Sequence, residues 1–145
     1  MAANELIFAV VGAAGSGTSE IANTLTALLP QHGYEPTMLK AREVIESWGG
    51  DSAQTRPQDT TLAKSEVLQN AGDSLRETTG DNAAVAVGLI KQIRAKRAQY
   101  QGAKLEPNKP VEPDGTRRAY VLDSIRHPDE VELLRRVYQR AFCLI

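Results

Sequence analysis

An apolar run, a loop of small residues and a helical pattern follow one another near the start of the chain, and no other stretch restricts the fold as much. Residues 6–11 are continuously apolar, which is typical of a strand buried on both faces of a parallel sheet. After Ser19, apolar residues recur at helical spacing, at Ile21, Leu25, Leu28 and Leu29. A strand that leads through a loop into a helix predicts an α/β fold, with a three-layer, doubly wound parallel sheet.

The loop between this strand and this helix has the composition of a phosphate-binding loop. Glycine lets the backbone take strained conformations and lets a ligand approach the N–H groups, and the helix N-terminus adds the positive end of its dipole. We therefore predict that these residues bind the phosphates of a nucleotide: Gly12, Ala13, Ala14, Gly15, Ser16, Gly17, Thr18 and Ser19. The alternative is a glycine- and alanine-rich turn that binds no ligand.

One position of the loop departs from the phosphate-binding motif. The motif has two glycines separated by four residues, then a lysine and then a serine or threonine. Gly12, Gly17 and Ser19 match it. Thr18 stands where the lysine should be, so the charge that the lysine brings to the β and γ phosphates is missing. We expect binding with slow or absent hydrolysis unless another cation substitutes, and the candidates are Lys40, Arg117, Arg118 and Arg126.

A second informative block begins with the apolar strand 119–122, which ends at Asp123. The carboxyl ends of parallel strands meet at one edge of a sheet, so an acid at a strand tip lies beside the phosphate loop and can hold magnesium. We expect Ser19 and Asp123 to organise Mg²⁺ with a nucleoside di- or triphosphate. Asp123 is also the predicted catalytic residue, and Arg126 is expected to contact an anion.

The rest of the chain divides into alternating apolar and polar segments. The patterns predict a strand over 34–40, a short helix over 41–48 and a polar loop over 51–58. They then predict a helix capped by Asp59 or Thr60 and running to Thr78, a helix over 83–100 and a loop insertion over 101–117. A last helix begins at Pro128, with His127 as turn residue or cap, and a buried strand follows over 141–145. Lys91, Arg94, Lys96 and Arg97 are interpreted as complementing the dipole at the end of the helix 83–100. Lys40 and Arg42 lie near the carboxyl end of the predicted strand 34–40, where they either contact substrate or are solvated charges.

The composition argues against several classes of protein. A length of 145 residues is one domain, and 17 basic against 18 acidic residues argue against a general binder of nucleic acid or of membrane surfaces. Cys143 is the only cysteine, so there is neither a disulfide framework nor a thiol cluster for zinc. We expect a cytoplasmic protein without a membrane segment and without direct nucleic-acid contacts.

The residues 12–19 and the block 123–131 together resemble the P-loop kinase-like fold of nucleoside monophosphate kinases and dephospho-CoA kinases. More closely, they resemble the N-terminal kinase-like domain of bacterial antiphage deoxycytidylate deaminases. Because the sequence stops in the apolar strand pattern 141–145, we expect residues 1–145 to be the N-terminal part of a longer protein, truncated after the fourth strand. The resemblance implies that this nucleotide-binding module regulates a downstream zinc-dependent deaminase domain, which depletes deoxycytidine nucleotides in phage defence.

The deamination chemistry and its zinc would belong to that downstream domain. The reaction needs zinc ligands and a proton-shuttling glutamate in an H-x-E and P-C-x-x-C arrangement, which this sequence does not contain. Two alternatives stay open. One is an active phosphotransferase of the nucleoside monophosphate kinase or dephospho-CoA kinase type, and the other is a non-catalytic assembly domain that forms homo-oligomers.

Overall fold

The computed structural model describes residues 4–13, 15–50 and 60–145, which form an α/β fold. The described strands are β1 (Glu5–Val11), β2 (Glu35–Lys40), β3 (Arg118–Ile125) and β4 (Phe142–Leu144). The described helices are α1 (Thr18–Leu28), α2 (Ala41–Gly49), α3 (Thr61–Thr79), α4 (Ala84–Gln101) and α5 (Pro128–Tyr138). None of these helices is long and apolar enough to cross a membrane. All pairs of neighbouring strands are parallel, in the order β2-β3-β1-β4, which confirms the predicted α/β class and parallel sheet.

Side chains alternate along β1 and β3, so each strand contributes to two cores. Ile7 and Tyr120 point into one core, to which α2, α3, α4 and α5 also contribute. Val10 and Val121 point into the other, where they pack with Ala22 of α1. Helices therefore cover both faces of the sheet, which explains why the apolar runs of β1 and β3 are continuous.

Helix α1 buries fewer apolar side chains than its sequence pattern predicts. Ala22 is fully buried and Leu25 is half-buried, whereas Ile21 and Leu28 are each 45% exposed. Among the described helices, α1 is the one that packs on this face of the sheet, so its flanks have no neighbouring helix to cover them. The predicted helix is confirmed, and of the apolar residues that indicate it within α1, Ile21 and Leu28 are exposed.

Strand β4 lies at the edge of the described sheet. Ile145 extends its pairing with β1, because it donates to the carbonyl of Ala9 at 2.9 Å and accepts from the N–H of Val11 at 2.8 Å. Leu144 and Ile145 are 38% and 44% exposed. The predicted strand is confirmed, but its predicted burial is wrong because no strand lies beyond it in the part of the chain that the structure describes.

Two helix starts coincide with the predicted caps. Thr60 is the N-cap of α3, and its Oγ1 accepts a hydrogen bond from the N–H of Ala63 at 3.1 Å. His127 is the N-cap of α5, and its Nδ1 accepts from the N–H of Asp129 at 3.1 Å. The predicted loop 51–58 and the alternative cap Asp59 lie outside the described residues.

Residues 102–117 contain neither helix nor strand and are mostly exposed, as predicted for the loop insertion. Side chains of α4 hold this segment. Arg94 Nε donates to the carbonyl of Lys109 at 2.9 Å, and Arg97 Nη1 donates to the carbonyl of Val111 at 3.1 Å. Arg94 and Arg97 therefore bind neighbouring segments. Neither lies in the last turn of α4, which contains no basic residue, so the interpretation that they complement its dipole is wrong.

Candidate functional site

The glycine loop, residues 12–18, connects β1 to α1 at the carboxyl edge of the sheet. Gly15 and Gly17 have φ values of +79° and +84°, in the left-handed region that residues with a Cβ adopt only at a cost. Gly17 is also the N-cap of α1, and no side chain caps this end of the helix. The first N–H groups of α1 are therefore available to another acceptor.

The first part of the glycine loop is tightly packed. The N–H and Oγ of Ser16 both donate to the carbonyl of Ala13, at 3.1 and 2.6 Å. A Cβ on Gly12 would overlap Ser16 Oγ and the methyl group of Thr18, so only glycine fits where the loop leaves β1. Ala14 lies outside the described residues. The turn has the kind of curved, glycine-dependent backbone from which anion-binding nests are built.

Ser19 and Asp123, which the sequence predicts as partners, meet at this edge. Ser19 lies in the first turn of α1, and its Oγ donates to Asp123 Oδ2 at 3.0 Å. Asp123 is 9% exposed and lies between Val10 of β1 and Lys40 of β2 in the sheet register. Strand β3 continues to Ile125, two residues beyond the predicted tip, after a shift of register. The carboxylate nevertheless lies level with the glycine loop.

A cavity of about 510 Å³ opens in front of these two residues. The glycine loop, the start of α2, one side of α3 and the connection between β3 and α5 form its walls. Charged side chains of both signs line it: Lys40, Arg42, Asp73, Arg76, Asp123, Arg126 and Glu130. The cavity is therefore polar at the edge where the sequence predicts phosphate and metal.

Glu130 organises the far wall of the cavity. It is fully buried, and its Oε1 accepts from Arg76 Nη2 at 2.6 Å. Its Oε2 accepts from the backbone N–H groups of Arg126 and His127 at 2.8 and 3.0 Å. One carboxylate thus neutralises Arg76 and fixes the loop that carries Arg126.

Sequence reasoning missed these two roles. It gave neither Glu130 nor Arg76 a part in the site. A signal for Glu130 exists in the sequence, because it stands three residues after the cap His127, the spacing of a capping box. No comparable signal marks Arg76, which reaches the site from α3.

Three basic side chains of the cavity have no carboxylate partner among the described residues. These are Lys40, which is half-buried, and Arg42 and Arg126, which are exposed. The fourth basic side chain, Arg76, pairs with Glu130, and the carboxylate of Asp73 contacts the same guanidinium at 3.2 Å. The cavity therefore has a surplus of positive charge, which favours an anionic ligand.

Arg117 and Arg118 do not reach this site. They lie at the start of β3, and the carboxyl edge is at its other end. The Arg117 guanidinium lies 4.4 Å from the ring centroid of Tyr34, and Arg118 Nη1 lies 2.5 Å from Asp114 Oδ1. The hypothesis that either arginine replaces the loop lysine is wrong, because the length of the strand separates both from the glycine loop.

The donor set fits magnesium better than zinc. In residues 4–13, 15–50 and 60–145, no three His, Cys, Asp or Glu side chains come together to hold a metal on their own. Magnesium keeps several waters and is held by one or two protein oxygens together with substrate phosphates. The Ser19 hydroxyl and the Asp123 carboxylate are suited to a Mg²⁺ ion that arrives with a nucleotide.

A comparison with models of known protein families finds no match, and a search of curated proteins finds no significant match. The resemblance to P-loop kinase-like domains therefore stays a prediction.

Proposed function

We propose that this chain is a nucleotide-binding module of the P-loop type, which binds a nucleoside di- or triphosphate together with Mg²⁺. The hydrogen bond of 3.0 Å between Ser19 Oγ and Asp123 Oδ2 carries the proposal. A hydroxyl just behind the glycine loop and a carboxylate on the neighbouring strand are the protein groups that P-loop proteins use to hold magnesium.

Each part of the edge then has a task. The N–H groups of residues 12–18 donate to the phosphates, and the Arg126 guanidinium contacts an anion. Ser19 and Asp123 hold the metal, which when bound neutralises charge on the phosphates. Since Thr18 brings no charge to the loop, we expect binding with slow or absent hydrolysis.

Calorimetric titration with magnesium nucleotides tests the proposal. We expect wild type to bind MgATP, MgADP or the magnesium form of a deoxycytidine nucleotide, and Gly17→Val to weaken binding by roughly a hundredfold or more. A valine at φ +84° strains the loop and places a side chain over the anion nest.

Gly102→Val is the matched control. Gly102 also has a positive φ, +62°, and a Cβ at this position also meets open space. Unlike Gly17, Gly102 lies at the end of α4, far along the chain from the glycine loop. This variant should carry a similar backbone strain and bind nucleotide like wild type. The absence of binding heat with every magnesium nucleotide would end the proposal.

The resemblance to antiphage deaminases supports a regulatory task for the module. In a protein that carries both domains, nucleotide binding here would control a zinc-dependent deaminase domain that depletes deoxycytidine nucleotides. The test is the rate of deoxycytidine nucleotide deamination by that protein, with and without an added regulatory nucleotide. Gly17→Val should abolish the response to the nucleotide, while an equal response in wild type and variant would exclude regulation through this site.

A second candidate function is phosphate transfer, as in nucleoside monophosphate kinases or dephospho-CoA kinases. The size of the cavity favours it, because about 510 Å³ extends past the glycine loop to α3 and leaves room for an acceptor. Asp123 would orient the acceptor hydroxyl. A phosphate-transfer assay separates the two functions. If the protein is an active kinase, the wild-type protein transfers phosphate. If it is a regulatory module, the wild-type protein transfers none, and activity is either absent or found only in the Thr18→Lys variant.

The third candidate is an assembly domain with a vestigial loop. The outer edge of β4 favours it, because no strand among the described residues pairs with it and an unpaired strand edge can pair with another chain. This function predicts concentration-dependent association in sedimentation experiments, and it predicts that Gly17→Val changes neither ligand binding nor regulation.

A further inference from the structure

We propose that Lys40 supplies to the bound phosphates the positive charge that the glycine loop lacks at Thr18, an inference that rests on the proposed nucleotide binding at this edge. Lys40 is the last residue of β2 and pairs in register with Asp123. Neighbouring strands lie about 4.8 Å apart. The flexible stem of Lys40 therefore starts one strand away from the carboxylate that faces Ser19, and its side chain lines the same cavity.

The surroundings of Lys40 lack a counter-charge. The residue is half-buried, yet none of the described residues forms an ion pair or a hydrogen bond with its ammonium group. An ammonium group without a counter-charge from the described residues is available to an anion in the cavity. A phosphate in front of Ser19 would provide the missing partner.

The other cations of the cavity are less suited to this task. Arg76 already pairs with the fully buried Glu130 at 2.6 Å. Arg42 and Arg126 are exposed, so water screens their charges more strongly. Lys40 combines partial burial, a missing partner and a position directly beside Asp123.

Titration of MgATP into a set of variants tests the inference. Lys40→Gln should weaken binding by about tenfold or more, because it removes a charge-assisted contact from a partly buried site. Lys40→Arg should retain most of the affinity. Lys91→Gln is the matched control, since Lys91 is an exposed lysine of α4 without a carboxylate partner among the described residues, and it should bind like wild type.

The double variant Thr18→Lys/Lys40→Gln distinguishes charge from structure. A lysine restored to the loop should recover the affinity that Lys40→Gln loses, whereas it would not repair a structural defect. Urea unfolding of each variant shows whether Lys40→Gln changes stability.

The outcomes separate this inference from the function on which it rests. If wild type binds no magnesium nucleotide, the proposed function fails and the inference fails with it. If wild type and Lys40→Gln bind equally well, only the role of Lys40 is overturned. Weak binding by Lys40→Gln that Thr18→Lys does not restore also overturns it, because Lys40 would then act through structure and not through charge.

Discussion

Tyr120 shows what burial does to a single polar group in this core. It is fully buried in β3, and its hydroxyl has no hydrogen-bond partner among the described residues. Burial raises the pKa of Tyr120 well above the ordinary value of 10.0, and the negative charge of Glu5 raises it further, while Arg97 and Arg118 lower it. The folded protein therefore strongly favours the neutral phenol.

We expect Tyr120→Phe to leave the free energy of unfolding unchanged or to raise it by about 1 kcal/mol at neutral pH, because it removes an unpaired buried hydroxyl. The folded pKa of Tyr120 lies above the unfolded one, so its contribution is fully present below pH 10.0 and is lost as the pH rises through the folded pKa. Wild type should lose stability above pH 10.0, and Tyr120→Phe should lose less. Urea unfolding on both sides of this pH measures the difference.

Tyr34→Phe serves as the control for this prediction, since Tyr34 is only half-buried, beneath Arg117. It should keep the alkaline loss of wild type. An equal loss in Tyr120→Phe and wild type would show that the buried phenol does not govern the alkaline transition.

Residue positions in the glycine loop could be predicted because motif spacing fixes them, and the meeting of Ser19 with Asp123 follows from the geometry of parallel strands. The error on Arg117 and Arg118 has the same physical basis. Both residues precede the core of β3, and a residue before a parallel strand lies at the opposite edge from one that follows it. Strand direction alone therefore separates them from Lys40, which ends β2, and from Arg126, which follows β3.

Between elements, the contact of α2 with α4 depends on one glycine. Gly88 lies inside α4, where glycine weakens a helix by about 1 kcal/mol relative to alanine. A Cβ at this position would overlap the Cγ1 of Val44 in α2. The absence of a side chain at Gly88 is what allows the two helices to approach this closely.

We expect Gly88→Ala to lower the free energy of unfolding by about 1 kcal/mol, because overlap with Val44 costs about 1–3 kcal/mol and outweighs the better helix propensity. In a Val44→Ala background the same change should become neutral or stabilising. Urea unfolding of the four proteins measures this coupling.

Gly72→Ala in α3 is the comparison for Gly88→Ala. Its Cβ would meet only the ends of flexible side chains, Ile45 Cδ1 at 3.3 Å and Arg76 Nη1 at 3.4 Å, so a smaller effect is expected. If Gly88→Ala were more stable than wild type, the proposed tight contact between α2 and α4 would be wrong.

Apolar periodicity predicted most of the elements close to where they lie, because the pattern shows which residues avoid water. It does not show whether another element covers them. Ile21 and Leu28 lie on the flanks of α1, and Leu144 and Ile145 lie at the sheet edge. Their exposure depends on which element packs beside them, and a local pattern contains no information about that.

Over the whole molecule, the two edges of the sheet have separate tasks. The carboxyl edge carries the candidate site, and the amino edge anchors residues 102–117. Arg97 Nε donates to both carboxylate oxygens of Glu5, at 3.0 and 3.1 Å, and Glu5 is 4% exposed. Burial alone would lower the pKa of Arg97, but its hydrogen bond to Glu5 and the charge of Glu5 together raise it. Neither this pair nor Arg76 with Glu130 could be predicted, because each joins segments that meet only after the helices pack.

Variants of these two ion pairs test whether the two edges of the sheet have separate roles. Arg97→Met leaves the carboxylate of Glu5 buried without a partner, and the loss of one partner of such a pair costs about 3–5 kcal/mol. Glu130→Gln should also destabilise the fold, but by less, since it leaves Arg76 with only the exposed carboxylate of Asp73 as a counter-charge. Nucleotide affinity should respond differently: Arg97→Met acts at the far edge and should leave it unchanged, whereas Glu130→Gln loosens the loop that carries Arg126 and should lower it.

Urea unfolding and MgATP titration of both variants, with Glu5→Gln/Arg97→Met as the control that removes the orphaned charge, measure stability and affinity independently. The control should recover part of the stability that Arg97→Met loses. Equal losses of affinity in Arg97→Met and Glu130→Gln would mean that the sheet transmits damage from one edge to the other. If only Glu130→Gln loses affinity, the glycine loop, Asp123 and Glu130 form one site at the carboxyl edge. The amino edge would then contribute to the stability of the fold and not to nucleotide binding.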